Sequence, residues 1–237
     1  GVYATALWTF TDVPNPQGMS ARINKWGLTR WDGEDYSARD WLYAYGLLVK
    51  YFKYNGKPFT VKTEDYLLRS GGVMNNDGSF SFAIVNRHKE ETEIEVVLDN
   101  FKADKKVRMY LYDSANVPRS RFAELQEPSA LLSAEGGVIK VTVPGSSIVM
   151  LTADYTDDRP AAVTGIKAEN GRITWDASKD PSHVYYRVFK GETADFAISK
   201  DNQIASTIAT YCSDSNDVPG SFYKVVSVNR SGNMSEG

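Results

Sequence analysis

Cysteine is almost missing from this chain. The single Cys212 excludes an intrachain disulfide framework and any zinc site built on several cysteines. With no histidine or lysine beside it to lower its pKa, its thiol is expected to be an ordinary core or surface group. Histidine is nearly as scarce. His88 and His183 lie in polar, turn-like stretches (Asn86-Arg87-His88-Lys89 and Asp180-Pro181-Ser182-His183) with no HxH, HxxxH or CxxC partner, so both are expected at the surface and no metal site is expected. There is no excess of positive charge either. The 27 Lys and Arg stand against 30 Asp and Glu, a formal charge of -3, without a basic cluster able to track a phosphate backbone, which argues against nucleic acid as a partner. No apolar run reaches the roughly 18 to 20 residues that cross a bilayer, so no membrane span is expected. GxSxG, Walker and GxGxxG motifs are absent, and no cofactor is expected.

What the chain does have is aromatic residues: 14 Tyr, 10 Phe and 5 Trp, with four of the five Trp among the first 41 residues. Val2 to Phe10 (VYATALWTF) is a nearly continuous apolar run, the pattern of a strand covered on both faces. It ends at Asp12-Val13-Pro14-Asn15-Pro16, where proline prevents a central strand from continuing. A long loop from Gln17 to Tyr36 carries Trp26, Gly27, Leu28, Trp31, Asp32 and Gly33. Ser37 is then a candidate N-cap for a helix over 38–53, with Trp41, Tyr45, Leu48, Val49 and Phe52 at three- and four-residue spacing. Asn55-Gly56-Lys57-Pro58 closes it.

From Thr60 the period falls to 2. Tyr66 to Arg69, Ser79 to Asn86, Glu91 to Asp99, Val107 to Tyr112, Val138 to Val143 and Ile148 to Thr152 are the clearest of about eight short strands expected at a spacing of about 8 to 12 residues, the pattern of an antiparallel sandwich. Asn75-Asn76-Asp77-Gly78 lacks the alternating acidic spacing of a calcium loop and reads as a β-turn. A polar, proline-ended stretch at Tyr155 to Pro160 marks a boundary, after which Arg172 to Asp176, Tyr185 to Lys190 and Phe222 to Asn229 supply further strands. The expected fold is mainly β: two tandem antiparallel sandwiches behind a short strand-loop-helix segment, with domains at 1–56, 57–156 and 157–237.

The last domain resembles a fibronectin type III module through Pro160, Ile173-Thr174-Trp175, Tyr186-Arg187-Val188-Phe189 and Tyr223 to Asn233. The resemblance implies a core role for Trp175, a corner hydrogen bond from Tyr223 to backbone, and a spacing function without catalysis.

The first part resembles the end of a retaining glycoside hydrolase with a (β/α)8 barrel and an accessory sandwich. The resemblance lies in the order of strand Ala4 to Phe10, loop Trp26-Gly27-Leu28, helix Arg39 to Phe52, then a sandwich containing Phe82 to Arg87 and closing on Val143 to Leu151. It implies the eighth strand, loop and helix of a barrel. Trp8 would then stand near the end of that strand, either as a stacking platform for a sugar or as a core residue. The catalytic carboxylates of such a barrel come from its fourth and seventh strands, which are not in this sequence. Two carboxylates must face one cleft from rigid elements, whereas Asp12, Asp32, Glu34 and Asp35 all lie on one loop, solvated or, for Asp35, near the positive end of the helix.

The resulting expectation is a non-catalytic C-terminal region of a secreted, periplasmic or cell-surface glycoside hydrolase, itself inactive, whose partners are a polysaccharide or oligosaccharide and the remainder of the parent protein. A free-standing carbohydrate-binding or adhesion protein using the aromatic loop 24–36 is the alternative, with Trp26, Trp31 and Tyr36 as its platform and Trp8 as a further candidate. A purely structural interaction module is a third possibility.

Overall fold

The computed structural model describes residues 10–14, 23–24, 27–30, 35–59, 61–99 and 106–237. It divides into two compact units, Gly1–Asp154 and Tyr155–Gly237. The architecture is mainly β, with several antiparallel sheets and one α-helix among the described residues. The strand expected over 2–10 lies almost wholly outside the described residues.

In the first unit, β1 (Val13–Pro14) pairs with β2 (Ile23–Asn24) in a two-residue ladder. Helix α1 spans Asp40–Tyr51, shorter than the expected 38–53. Its N-cap is the extended Arg39, which makes no side-chain capping bond. Ser37 cannot cap it because the chain there is engaged with the preceding loop: Arg30 N–H donates to Ser37 O at 2.9 Å, and Ala38 bridges to Thr29. Asp40 in the first turn and Lys50 in the last suit the helix dipole.

Eight strands follow: β3 (Lys57–Phe59), β4 (Leu68–Met74), β5 (Phe80–Asn86), β6 (Thr92–Val97), β7 (Val107–Tyr112), β8 (Ala130–Leu132), β9 (Val138–Val143) and β10 (Ser147–Thr152). Six form one sheet in the order β3-β4-β5-β10-β7-β8, while β6 and β9 form a separate pair. Alternation assigns each face of the large sheet. Phe80, Phe82 and Ile84 of β5, Val107 and Met109 of β7, and Val149 and Leu151 of β10 meet Ile139, Val141 and Val143 of β9 in the sandwich core. On the opposite face, Ala83, Tyr110 and Met150 pack against Leu47 and Tyr51 of α1. Strands β5 and β10 are therefore covered on both sides, the sheet lying between the small pair and the helix. Each fully buried Leu or Val contributes ~1.5–3 kcal/mol.

Several buried polar groups in this unit are placed in pairs. The Ser81 and Thr152 hydroxyls, both fully buried, lie 2.7 Å apart across the β5–β10 ladder. The Asn86 amide donates to Val143 O at 3.0 Å and Pro144 O at 3.2 Å. The β4–β5 hairpin closes through the turn expected at 75–78, with Asn75 N–H donating to Ser79 O at 2.8 Å and Gly78 at φ +79°. Gly72 is needed for packing: a Cβ there would stand 2.2 Å from the Phe59 ring.

The second unit holds two three-stranded sheets. One comprises β11 (Lys167–Glu169), β12 (Arg172–Thr174) and β15 (Tyr211–Ser213); the other has β13 (His183–Gly191) between β14 (Gln203–Thr207) and β16 (Phe222–Asn229). Ile173 and Trp175 from one side pack on Tyr186, Val188 and Val225 from the other. The Trp175 and Tyr186 rings meet edge to face at 5.3 Å. The Tyr223 hydroxyl does not make the expected backbone corner bond. It donates to the carboxylates of Asp214 (2.9 Å) and Asp217 (2.8 Å), and Lys190 Nζ reaches Asp214 at 2.7 Å.

Candidate functional site

The segment leading into α1 is built around Asp12. Thr29 bridges to Thr11 on one side and to Ala38 on the other. Its N–H donates to Phe10 O at 3.0 Å and its carbonyl accepts from Asp12 N–H at 3.1 Å, while Arg39 N–H donates to Leu28 O at 2.8 Å. This brings the Asp12 carboxylate, from a residue only 1 % exposed, onto the Gly27 N–H at 2.9 Å and into an ion pair with the Arg39 guanidinium. The sequence reading of Asp12 as a solvated loop charge is thus corrected: burial is tolerated because a cation and a backbone donor satisfy the carboxylate. Gly27 is required by backbone crowding, since a Cβ would lie 2.3 Å from Asp12 N and 2.8 Å from Thr29 O. The Trp26-Gly27-Leu28 sequence could have signalled this close approach.

Of the four aromatic residues proposed as a binding surface, Trp8, Trp26 and Trp31 lie outside the described residues, as do Asp32 and Glu34. Tyr36 is described. It is 60 % exposed and adopts φ 53°, a left-handed conformation uncommon for an aromatic residue. The neighbouring Asp35 does not serve the helix. Its carboxylate accepts from Ser37 N–H at 2.9 Å, and hydrogen bonding by the Ser37 side chain and then backbone holds it below the usual carboxylate range.

Helix α1 presents an unusual surface. Apart from Asp40 and Lys50, each of its residues is apolar, aromatic or glycine. Tyr43, Leu47 and Tyr51 form the buried stripe. Trp41, Tyr45 and Val49 occupy the opposite side at i, i+4, i+8 spacing, with Val49 61 % exposed. A loop between β7 and β8 holds the helix in place. Arg119 pairs with Asp40 at 2.9 Å, keeping that carboxyl low; the Tyr43 hydroxyl donates to Ser120 O at 3.5 Å; and Leu125 packs over Gly46. At its far end, Lys53 Nζ lies 2.7 Å from Asp154 and 3.6 Å from Asp77. The lone Gly46 among bulky neighbours was the available sequence signal for this clamp.

The two histidines have structural partners. His88 Nε2 is 2.6 Å from Asp65 Oδ2, and His183 Nδ1 is 2.7 Å from the buried Ser227 hydroxyl, its ring 4.2 Å from Tyr186. Both histidines are partly exposed. Among the described residues no group of three or more His, Cys, Asp or Glu could hold a metal ion, and no helix is long and apolar enough to cross a membrane. What the described segment offers chemically is an aromatic and apolar surface on a rigid helix.

No protein-family model matches the chain, and no curated protein matches it significantly. Solved structures that resemble it include catalytic domains of glycoside hydrolases. A family 30 endoxylanase from Clostridium papyrosolvens C71 aligns at 15% identity over 48% of this chain and 28% of that one, with a TM-score of 0.42. The catalytic domain of family 30 xylanase C from Talaromyces cellulolyticus aligns at 21% identity over 54% of this chain and 27% of that one, TM-score 0.44. The family 30 subfamily 8 xylanase Xyn30A from Clostridium acetobutylicum aligns at 12% identity over 55% and 31%, TM-score 0.46. The chain thus spans less than a third of the length of each of these structures, and a likeness of this degree assigns no family.

Proposed function

We propose that this chain is a non-catalytic closing segment and accessory region of a larger, secreted or cell-surface carbohydrate-degrading protein: α1 seats against a further layer of that protein, the first sandwich braces it, and the second unit, read as fibronectin type III-like, spaces or orients modules. The observation that carries this reading is the apolar character of α1 on both sides. A helix lying on one sheet at a protein surface needs one apolar stripe, whereas one hydrophobic all round belongs between two layers. The carbohydrate part of the reading rests on the order of strand, loop, helix and sandwich in the sequence.

The isolated chain should self-associate through the Trp41–Tyr45–Val49 side, and Tyr45→Glu with Val49→Glu should return it to a monomer in sedimentation without loss of its circular dichroism. A wild-type chain that stays monomeric at high concentration would contradict a helix awaiting a second layer. A second reading, a free-standing carbohydrate binder using the loop 24–36, is favoured by the exposure of Tyr36. Retardation on immobilised xylan or cellulose, abolished by Tyr36→Ala, would support it over the first.

A further inference from the structure

The two sheets of the first sandwich are unequal, and the mismatch leaves a groove of about 680 Å³ between β4 and β6. At its bottom lie Phe80, Phe82 and Ile84 of β5, almost fully buried, while Phe59, Val61, Ile94 and Val96, which also line it, are only partly buried. A cavity that meets a strand face-on touches alternate residues, because successive side chains point to opposite sides. Here the wall takes in every residue from Ile94 to Asp99, so the groove meets β6 along its edge. That edge is open: β6 pairs only with β9 among the described residues. Pairing with β3 covers Gly72–Met74 of β4, and β3 goes no further along β4 than Gly72, so Leu68 and Ser70, which also line the groove, lie beyond it.

The rim is mostly acidic. Glu64, Glu95 and Asp99 border it against Lys62, and Glu93 is a further exposed carboxylate on β6. Lys140 pairs with Glu95 at 3.0 Å, but both side chains are more than half exposed, and such a surface pair exchanges readily.

We propose that this groove is the docking seam for an extended peptide segment in which apolar residues alternate with lysine or arginine, added to the free edge of β6 as a third strand of the small sheet. Strand addition pairs the backbone groups that an open edge presents. The period of 2 then turns the apolar residues inward beside the partly buried Phe59, Val61, Ile94 and Val96 and the basic ones outward beside Glu93 and Glu95, where opposite charges on neighbouring strands attract and like charges repel. A compact apolar ligand would cover the floor and leave the β6 edge unpaired. The seam is on the side of the large sheet away from α1, so this proposal stands or falls separately from the role of the helix.

The test uses the whole chain and an acetylated synthetic octapeptide of alternating lysine and valine, read by fluorescence anisotropy and by hydrogen exchange. The expected result is saturable binding with amide exchange slowed in 92–97. Replacing both Glu93→Lys and Glu95→Lys, exposed positions that leave the core untouched, should weaken binding about tenfold. The proposal is overturned if no binding occurs by about 1 mM peptide, if a glutamate-valine octapeptide binds as well, or if binding leaves exchange in 92–97 unchanged. It is equally overturned if decanoate displaces the peptide and itself reproduces its exchange pattern, or if 92–97 becomes protected with rising protein concentration alone, which would make a second copy the occupant.

Discussion

Replacing Gly46 with alanine sets two effects of similar size against each other. An interior helical Gly→Ala change contributes about 1 kcal/mol in helix propensity. The added Cβ would stand 2.6 Å from Leu125 Cδ2, with Cδ1 and Cγ at 3.5 and 3.6 Å. Ordinary carbon contact is ~3.5–4.0 Å, so the Leu125 methyl must move by about 1 Å. Leu125 is packed against the buried Leu47, Tyr51, Ala83, Tyr110 and Met150, and overfilling such a site costs about 1–3 kcal/mol. Because the obstructing atom ends a side chain that can rotate, the low end of that range applies. Gly46→Ala alone should therefore be neutral or destabilising by up to ~1 kcal/mol. In a Leu125→Ala background, where the obstruction is gone, the same change should stabilise by ~1 kcal/mol, a coupling of about 1–2 kcal/mol. Urea unfolding followed by tryptophan fluorescence measures this, with Trp175→Phe introduced so that the signal comes from the first unit. A unit of this size shifts by ~2–4 °C in Tm per kcal/mol, which gives a thermal cross-check. Equal effects of Gly46→Ala in both backgrounds would refute the packing of Leu125 on the helix.

Three further outcomes concern the second unit. Burial holds the His183 pKa below its ordinary 6.5, although Asp180 pulls it upward. The unfolded chain then binds a proton that the folded one refuses, so stability should fall as pH drops below about 6.5 and level off beneath the folded pKa; His183→Gln should flatten that slope, and an unchanged slope would count against it. Tyr223→Phe removes a donor to two carboxylates and should cost about 1–2 kcal/mol by chemical denaturation. In a spectrophotometric titration the same substitution should delete a late-ionising tyrosine, since burial and then Asp217 and Asp214 raise that phenol. Burial, reinforced by Asp214, pushes the Cys212 thiol up to about 11, so at pH 8 a disulfide reagent should label the native chain roughly 100-fold more slowly than the unfolded one; comparable rates would show an accessible thiolate.

Strands with a clean period were legible in the sequence almost to the residue: β7 and β9 coincide with the expected 107–112 and 138–143. Others were obscured by residues chosen for contact rather than propensity. The reading over 66–69 caught only the start of β4, whose Gly71-Gly72 weakens any strand pattern, although Gly72 is there because Phe59 crosses it. Lys57 to Phe59 looked like a loop exit because of Pro58, yet an edge strand tolerates a missing donor. The helix start was misplaced because Ser37 and Asp35 are good capping types that tertiary contacts had already engaged. Within the candidate site, composition singles out Tyr36 but not its exposure. The Asp12–Arg39 pair was not legible, since 27 residues separate its members and no local pattern links them.

The double covering of β5 and β10 has a consequence for alignment. Where one side of a strand faces water, sliding by one residue is opposed by every apolar group it would expose. With hydrophobic layers on both sides, that penalty largely disappears, and a displaced strand would still be buried. What distinguishes the correct alignment is the pair of hydroxyls at Ser81 and Thr152 and the amide of Asn86, each of which would be stranded without a partner at about 1–3 kcal/mol if the ladder slipped. Their net contribution to folding energy is small, yet they act as the keys that make one pairing of two nearly interchangeable strands unique.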